Sequence, residues 1–229
     1  MDKAIRSYIA EFLGTFTLVF VGTAVATLTG FPESRQIGFV EISLAFGFTL
    51  MVMVWTIGPV SGCHINPAVT LPMALSGRLP WANVPGYVIA QCVGAIAASG
   101  ALKFLLEGIP GYDLAKHHLG ANGNPLGMST SSLFGFEFVM TALFLMTIFS
   151  VTRRDATPGF AGLAIGGFLL VSHLLGAQLG DSSLNPARSL GPAIFEGGKS
   201  LEILWIFVAA PLVGGVVGWG LFSVIHNKD

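Results

Sequence analysis

Residues 61–70 read Ser-Gly-Cys-His-Ile-Asn-Pro-Ala-Val-Thr, and residues 183–189 read Ser-Leu-Asn-Pro-Ala-Arg-Ser. Both stretches contain Asn-Pro-Ala, once as Asn66-Pro67-Ala68 and once as Asn185-Pro186-Ala187. Asn is a favoured N-cap residue, and Pro is favoured at the first position of a helix. We therefore predict that Asn66 and Asn185 each begin a helix. A single copy would be an ordinary helix start. Whether two copies have a functional role depends on the sequence around them.

Six long apolar runs surround these two copies. Hydrophobic residues make up 53% of the 229 residues and charged residues only 10%, whereas a soluble chain carries roughly 25% charged residues. The runs cover residues 8–29, 38–57, 84–106, 131–151, 159–179 and 203–225. Each is about 20 residues long, enough for a helix to cross the hydrocarbon core of a bilayer. We predict an all-α membrane protein with six transmembrane helices in a single domain over residues 1–229.

The two halves of the chain resemble each other. Corresponding segments are Glu11 and Glu137 with their neighbours, residues 43–47 and 162–166, the two Asn-Pro-Ala copies, and residues 93–96 and 213–216. The offset between the members of each pair stays near about 120 residues, which indicates an internal repeat. Each half holds three spans, so the second half enters the membrane from the opposite face. We predict two inverted repeats, about 1–107 and 131–229, joined by an extracellular loop over residues 108–130.

The segments after the second and fifth runs are too short and too interrupted to cross a membrane. Irregular backbone at membrane depth is tolerated only inside protein or beside water. We predict two re-entrant half-helices of about 10 residues, each roughly 15 Å long, whose positive N-terminal ends meet near the bilayer centre. Such ends oppose the passage of cations and protons. Each Asn oxygen accepts from its own helix start, which leaves the amide N–H groups to donate to a passing molecule.

Charge predicts orientation and excludes some partners. On one face of the six-span arrangement lie Lys3, Arg6, Arg78, Arg153, Arg154 and Lys228, and on the other lie Arg35, Lys103, Lys116 and Lys199. This bias places both termini in the cytoplasm. The net charge of −1 argues against a nucleic-acid partner. The sequence contains no nucleophile–base set, metal cluster or phosphate loop, so we predict neither enzymatic activity nor a cofactor or metal.

On these motifs the sequence resembles the aquaporin (major intrinsic protein) family over nearly its whole length, and within it the bacterial water channels. The resemblance implies a passive water-selective channel of the cell (inner) membrane that excludes protons and ions. It also implies a homotetramer with one pore in each subunit, surrounded by the lipid bilayer. Two alternatives stay open: a facilitator of glycerol or another small neutral solute, and a coupled secondary transporter, which would also have broken helices and inverted repeats.

The resemblance also assigns roles to residues. The selectivity filter is expected at Phe46, His173, Ser182 and Arg188, and the carbonyls that line the pore at Gly62, Cys63, His64, Ile65, Ser183 and Leu184. Glu11 and Glu137 are expected to anchor the loops before the half-helices, because buried carboxylates need partners. His173, together with Ser189 after the arginine, favours water over glycerol. Asp181 and Glu41 are expected to be solvated charges at the outer mouth.

Overall fold

The structure, a computed structural model, describes residues 1–29, 31, 38–179 and 181–226. Within these ranges the chain forms ten α-helices, a short 3-10 turn at Trp81–Asn83 and no strands, which confirms the all-α prediction. The helices are α1 (Lys3–Leu28), α2 (Phe39–Ser61), α3 (Pro67–Leu75), α4 (Val84–Glu107), α5 (Leu114–His117), α6 (Thr130–Val151), α7 (Ala161–Leu179), α8 (Pro186–Glu196), α9 (Gly198–Glu202) and α10 (Leu204–His226). Arg35 and Lys228, which contributed to the predicted orientation, lie outside the described residues.

Most of the predicted spans are long apolar helices. In the described ranges, five stretches are long and apolar enough to cross a membrane: Lys3–Leu28, Phe39–Ser61, Trp81–Glu107, Thr130–Val151 and Gly198–His226. The predicted fifth span coincides with α7, whose 19 residues rise about 28 Å along the helix axis. The chain is therefore an integral membrane protein whose helices match the apolar runs of the sequence.

The two half-helices begin where the capping rule places them. Asn66 Oδ1 accepts the backbone N–H of Ala68 at 2.8 Å, and α3 continues for 9 residues. Asn185 Oδ1 accepts the N–H groups of Ala187 and Arg188 at 3.0 and 3.3 Å, and α8 continues for 11 residues. At 1.5 Å per residue these helices are about 14 and 16 Å long, which is half of a bilayer core.

The helices pack in matching pairs. The α1 helix packs against α2 and α4, and α6 packs in the same way against α7 and α10. Each half-helix lies against the last span of the other half, α3 on α10 and α8 on α4. Glycine permits the closest approach: a Cβ atom on Gly94 would lie 2.5 Å from the carbonyl oxygen of Phe12, and one on Gly214 would collide with that of Phe138. Small residues allow transmembrane helices to pack backbone against backbone in this way.

Polar and apolar residues are distributed as expected for a membrane protein. Large apolar side chains such as Phe48, Phe104 and Val171 are exposed on the outside, whereas Glu11 and Glu137 are fully buried inside. An intramembrane carboxylate is costly unless it faces partners or a water-filled cavity. We therefore expect a functional site in the interior between the helices.

Candidate conduction pore

A buried carboxylate holds the loop that leads into each half-helix. Glu11 Oε1 accepts the Ser61 hydroxyl at 2.6 Å and the His64 N–H at 2.9 Å, and Oε2 accepts the Ile65 N–H at 2.6 Å. Gln91 Nε2 also donates to Glu11 Oε2, at 2.7 Å. The N–H groups of His64 and Ile65 bind Glu11, so the carbonyl groups of this loop are available to other partners.

The second loop repeats this arrangement. Glu137 Oε1 accepts the N–H of Ser183 at 2.8 Å, and Oε2 accepts that of Leu184 at 2.9 Å. In both loops the backbone turns through the left-handed region at residues other than glycine, with φ values of 52° at Cys63, 42° at Ile65 and 58° at Leu184. Such conformations cost roughly 1–2 kcal/mol each and persist only where the surroundings hold them.

The two half-helices are joined at their tips by reciprocal hydrogen bonds. Asn66 Nδ2 donates to the Leu184 carbonyl, and Asn185 Nδ2 donates to the Ile65 carbonyl, both at 2.8 Å. The capping pattern alone predicts that the amide N–H groups of both Asn residues are free to donate to a passing molecule. Instead, each NH₂ group uses one hydrogen to link the halves, because the facing carbonyls are buried and need donors. Each amide retains one N–H for a solute.

The predicted filter residues lie together at one end of the pore. The rings of Phe46 and His173 stack with their centroids 4.5 Å apart, and Arg188 Cζ lies 4.8 Å from the Phe46 centroid. His173 Nδ1 is 2.9 Å from the Leu169 carbonyl, which can only accept. Nδ1 therefore carries the hydrogen, and Nε2 is left as an acceptor.

Three polar atoms of this filter are buried without a hydrogen-bond partner in the described part of the chain. They are Arg188 Nε, His173 Nε2 and Ser182 Oγ. Buried polar atoms in proteins are nearly always paired with protein or with ordered water. The three atoms thus form a set of one donor, one acceptor and one hydroxyl that can serve as either.

Two cavities meet at the filter. The outer cavity is lined by His173, Ser182 and Arg188 together with Asp181, residues of the connecting loop and residues of α1 and α2. The inner cavity starts at the same His173 and Arg188 and reaches Ile148 and Thr152, at the end of α6. It is lined by the loop and filter residues Gly62, Cys63, His64, Ile65, Asn66, Ser183, Asn185, His173 and Arg188, and by apolar side chains such as Leu18, Leu50 and Ile165. Of the predicted carbonyl residues, Leu184 is not among those that line the inner cavity, and the carbonyls of both Leu184 and Ile65 accept hydrogen bonds from the Asn66 and Asn185 amides.

The acidic residues near the outer mouth differ from the expectation. Glu41 is exposed, but its carboxylate accepts the Gly38 N–H at 2.9 Å and so caps the start of α2. Asp181 is not a freely solvated charge, because its Oδ2 accepts the Gly123 N–H at 2.9 Å and its Oδ1 accepts the Ser182 N–H at 2.6 Å. Asp181 thus holds the filter loop.

Part of the segment that connects the two halves is buried and binds Arg188. Leu119 and Asn122 are buried, and Arg188 Nη1 donates to the Gly120 carbonyl at 3.0 Å and to Asn122 Oδ1 at 2.8 Å. Nearby, the Tyr112 hydroxyl donates to the His118 carbonyl at 2.6 Å. Burial and the neighbouring carboxylates raise the pKa of Tyr112 to about 12, so this donor keeps its proton at neutral pH.

Sequence reasoning missed two contributors to the site, for different reasons. Gln91 interrupts an apolar run, and a polar residue inside a span is a detectable signal for an interhelical hydrogen bond. It bonds both Glu11 and, at 2.9 Å, Thr70 Oγ1. Asn122 lies among other polar loop residues and has no such signal.

The chain is similar to known proteins over nearly its whole length. Residues 1–222 match the family described as "Major intrinsic protein". Aquaporin Z of Rhodopseudomonas palustris is 45% identical over 228 residues, covering 97% of this chain and 94% of the relative. Aquaporin Z of Photorhabdus laumondii is 42% identical over 229 residues, covering 98% and 99%.

A solved structure supports the fold. The aquaglyceroporin of Plasmodium falciparum superposes with a TM-score of 0.83, covers 97% of both chains and is 24% identical, which bears on the fold alone. The family match and the relatives confirm the resemblance of the motifs. The chain therefore belongs to the major intrinsic protein family, whose members are membrane channels and not enzymes.

Proposed function

We propose that this channel conducts water selectively and passively, in single file, and excludes ions and protons. The observation that carries the proposal is the set of three unpartnered buried atoms at the filter, Arg188 Nε, His173 Nε2 and Ser182 Oγ, within the described residues. A water molecule can accept from Arg188 and donate to His173 at once. The fixed charge of Arg188 repels cations at the same point.

Proton exclusion is proposed to arise at the tips of the half-helices. The N-termini of α3 and α8 meet there, and each carries about +0.5 of an elementary charge. Asn66 and Asn185 each present one remaining amide N–H, so a water molecule between them accepts two hydrogen bonds and points its own hydrogens outward. A chain of waters that is reversed in orientation at this point, against a positive field, cannot relay a proton through it.

The filter favours water over glycerol. The imidazole of His173 stacks on the Phe46 ring and occupies space that would be open if residue 173 were smaller. Ser189 lies on α8 and does not line either cavity; its hydroxyl pairs with that of Ser183 at 2.5 Å and contacts the Asn185 carbonyl at 3.2 Å, so it binds the loop before the half-helix.

A coupled transporter would need a site for its coupling ion near the midplane. The carboxylates at that depth, Glu11 and Glu137, already accept hydrogen bonds from loop N–H groups. In the described residues, no group of three or more His, Cys, Asp or Glu side chains is placed to hold a metal ion. We therefore propose passive conduction rather than coupled transport.

The assembly and location are part of the same proposal. We propose a homotetramer with one pore in each subunit, in the inner membrane, with both termini in the cytoplasm. Exposed apolar side chains on α2 and α7, such as Val52 and Leu175, provide surface that another subunit or lipid can cover.

Stopped-flow light scattering of proteoliposomes tests the function. Under a sucrose gradient, vesicles with the channel should shrink much faster than protein-free vesicles, and under a glycerol gradient they should not re-swell faster. His173→Gly removes the ring that stacks on Phe46, so glycerol entry should rise while water flux stays high. Glycerol entry into wild-type vesicles as fast as the water response would contradict the proposed selectivity.

A further inference from the structure

The segment 119–123 of the connecting loop forms one wall of the filter. Arg188 Nη1 donates to two acceptors of this segment, the Gly120 carbonyl at 3.0 Å and Asn122 Oδ1 at 2.8 Å. Arg188 and Asn122 are each 3% exposed. Arg188 is on α8, but the acceptors that orient its guanidinium group belong to the connecting loop.

Asn122 joins two filter residues through a single amide group. A guanidinium can only donate, so the atom that faces Arg188 is the amide oxygen. The amide nitrogen of the same side chain donates to the Ser182 carbonyl at 3.3 Å. Both ends of Asn122 are therefore directed at the filter.

Two carboxylates hold the backbone on either side of Asn122. Glu196 Oε1, at the end of α8, accepts the N–H groups of Leu119 and Ala121 at 2.7 and 2.8 Å. Asp181 Oδ2 accepts the N–H of Gly123 at 2.9 Å. The N–H groups on both sides of Asn122 are thus fixed by carboxylates that flank the filter loop and its half-helix.

Glycine at position 120 lets this segment come close to α1. Gly120 has a φ of 74°, and a Cβ atom there would lie 2.9 Å from Thr23 Cβ and 3.0 Å from the Thr23 carbonyl oxygen. Leu119, beside it, is fully buried and packs with Leu102 and Leu106. The segment is therefore seated in the protein, which gives Asn122 a fixed position from which to act.

We propose that Asn122 is a positioning residue that determines the selectivity of the pore by fixing the Arg188 guanidinium. This inference rests on the proposed water channel. Without Asn122 Oδ1, Nη1 of Arg188 keeps only the Gly120 carbonyl as an acceptor in this segment, and the guanidinium gains freedom to move into the outer cavity. The filter then widens, and a solute larger than water enters.

The test compares glycerol and water permeability in proteoliposomes, each normalised to the amount of channel present. Asn122→Leu, which has similar volume and no polar atom, should raise the glycerol-to-water permeability ratio roughly tenfold, the order expected for losing a hydrogen bond to a charged group. Asn122→Ala removes the same oxygen with less bulk and should act in the same direction.

Asn124→Leu is the matched control. Asn124 is in the same loop, and its side chain bonds the backbone N–H and carbonyl of Met128 at 2.8 and 2.7 Å, not a filter residue. Its replacement should leave the ratio within about twofold of wild type, since it removes loop contacts and none to a charged group. In an Arg188→Leu background, Asn122→Leu should cause no further rise, because coupled residues are not additive.

The outcomes separate this inference from the proposed function. An unchanged ratio in both Asn122 variants overturns the positioning role, as does an equal rise in Asn124→Leu or an equal further rise in the Arg188→Leu background. In each case a wild type that conducts water leaves the proposed function intact. Wild-type vesicles that shrink no faster than protein-free vesicles overturn both.

Discussion

Cys63 lines the inner cavity from a position where the backbone turns left-handed. Its φ is 52°, its neighbours in the same loop donate their N–H groups to Glu11, and the residue is 7% exposed. The other cysteine, Cys92, is half-buried in α4 and does not line this cavity. Cys63 therefore lies beside the proposed water path, and Cys92 does not.

Mercuric ions should block the channel through Cys63. A mercury–thiol adduct at Cys63 would occupy the narrow inner cavity, so HgCl₂ should slow osmotic shrinkage of wild-type proteoliposomes. Cys63→Ala should abolish the block, and Cys92→Ala should retain it. Equal inhibition of wild type and Cys63→Ala in the same stopped-flow assay would show that the thiol beside the pore is not the target.

At the scale of single elements, the loops before the half-helices are held in conformations they would not adopt alone. Ile65 is β-branched and has a φ of 42°, which is unfavourable for such a residue. Glu11 offsets this cost by accepting the Ser61 hydroxyl, the N–H groups of His64 and Ile65, and the Gln91 amide. The conformation of the loop therefore depends on a charge carried by a different helix.

Glu11→Gln should destabilise the protein. The new amide NH₂ would face backbone N–H donors, so we expect a loss of about 2–4 kcal/mol in unfolding free energy, the range for unpairing a buried charged network. Thermal unfolding in detergent measures it. Glu107→Gln is the control, since Glu107 pairs with Lys103 at the surface and should cost at most about 1 kcal/mol. Equal losses in both variants would contradict an anchoring role for Glu11.

The elements that the sequence predicted well are those with local causes. Asn66 and Asn185 cap helices within three residues of themselves, so the capping rule places both half-helices. The bond from Arg188 to Asn122 joins residues 66 positions apart, and no local pattern reports such a distance. The same reason explains Asp181, which was expected to be a solvated charge but accepts a hydrogen bond from Gly123, a residue 58 positions away.

At the scale of the whole molecule, apolar side chains cover the outside and the polar groups line a path through the middle. The loops on either side of α6 lie at opposite ends of that helix. Ala115, before it, and Arg154, after it, are both exposed. Their accessibility reports which end of the molecule faces the cytoplasm.

Thiol labelling of intact cells tests the orientation. In a background with Cys63 and Cys92 replaced by Ala, we expect Ala115→Cys to react with a membrane-impermeant maleimide added outside. Arg154→Cys should react only after the membrane is permeabilised, because positively charged loops stay in the cytoplasm. The reverse pattern would place both termini outside.

The reciprocal bonds between the half-helix tips constrain how such a chain can evolve. Asn66 needs the carbonyl of Leu184, and Asn185 needs that of Ile65. One half alone in lipid would leave these groups unpaired where no water replaces the partner. If the two halves are inverted repeats, a single chain satisfies both amides only while each half keeps an odd number of spans, because an even number would insert both halves in the same direction.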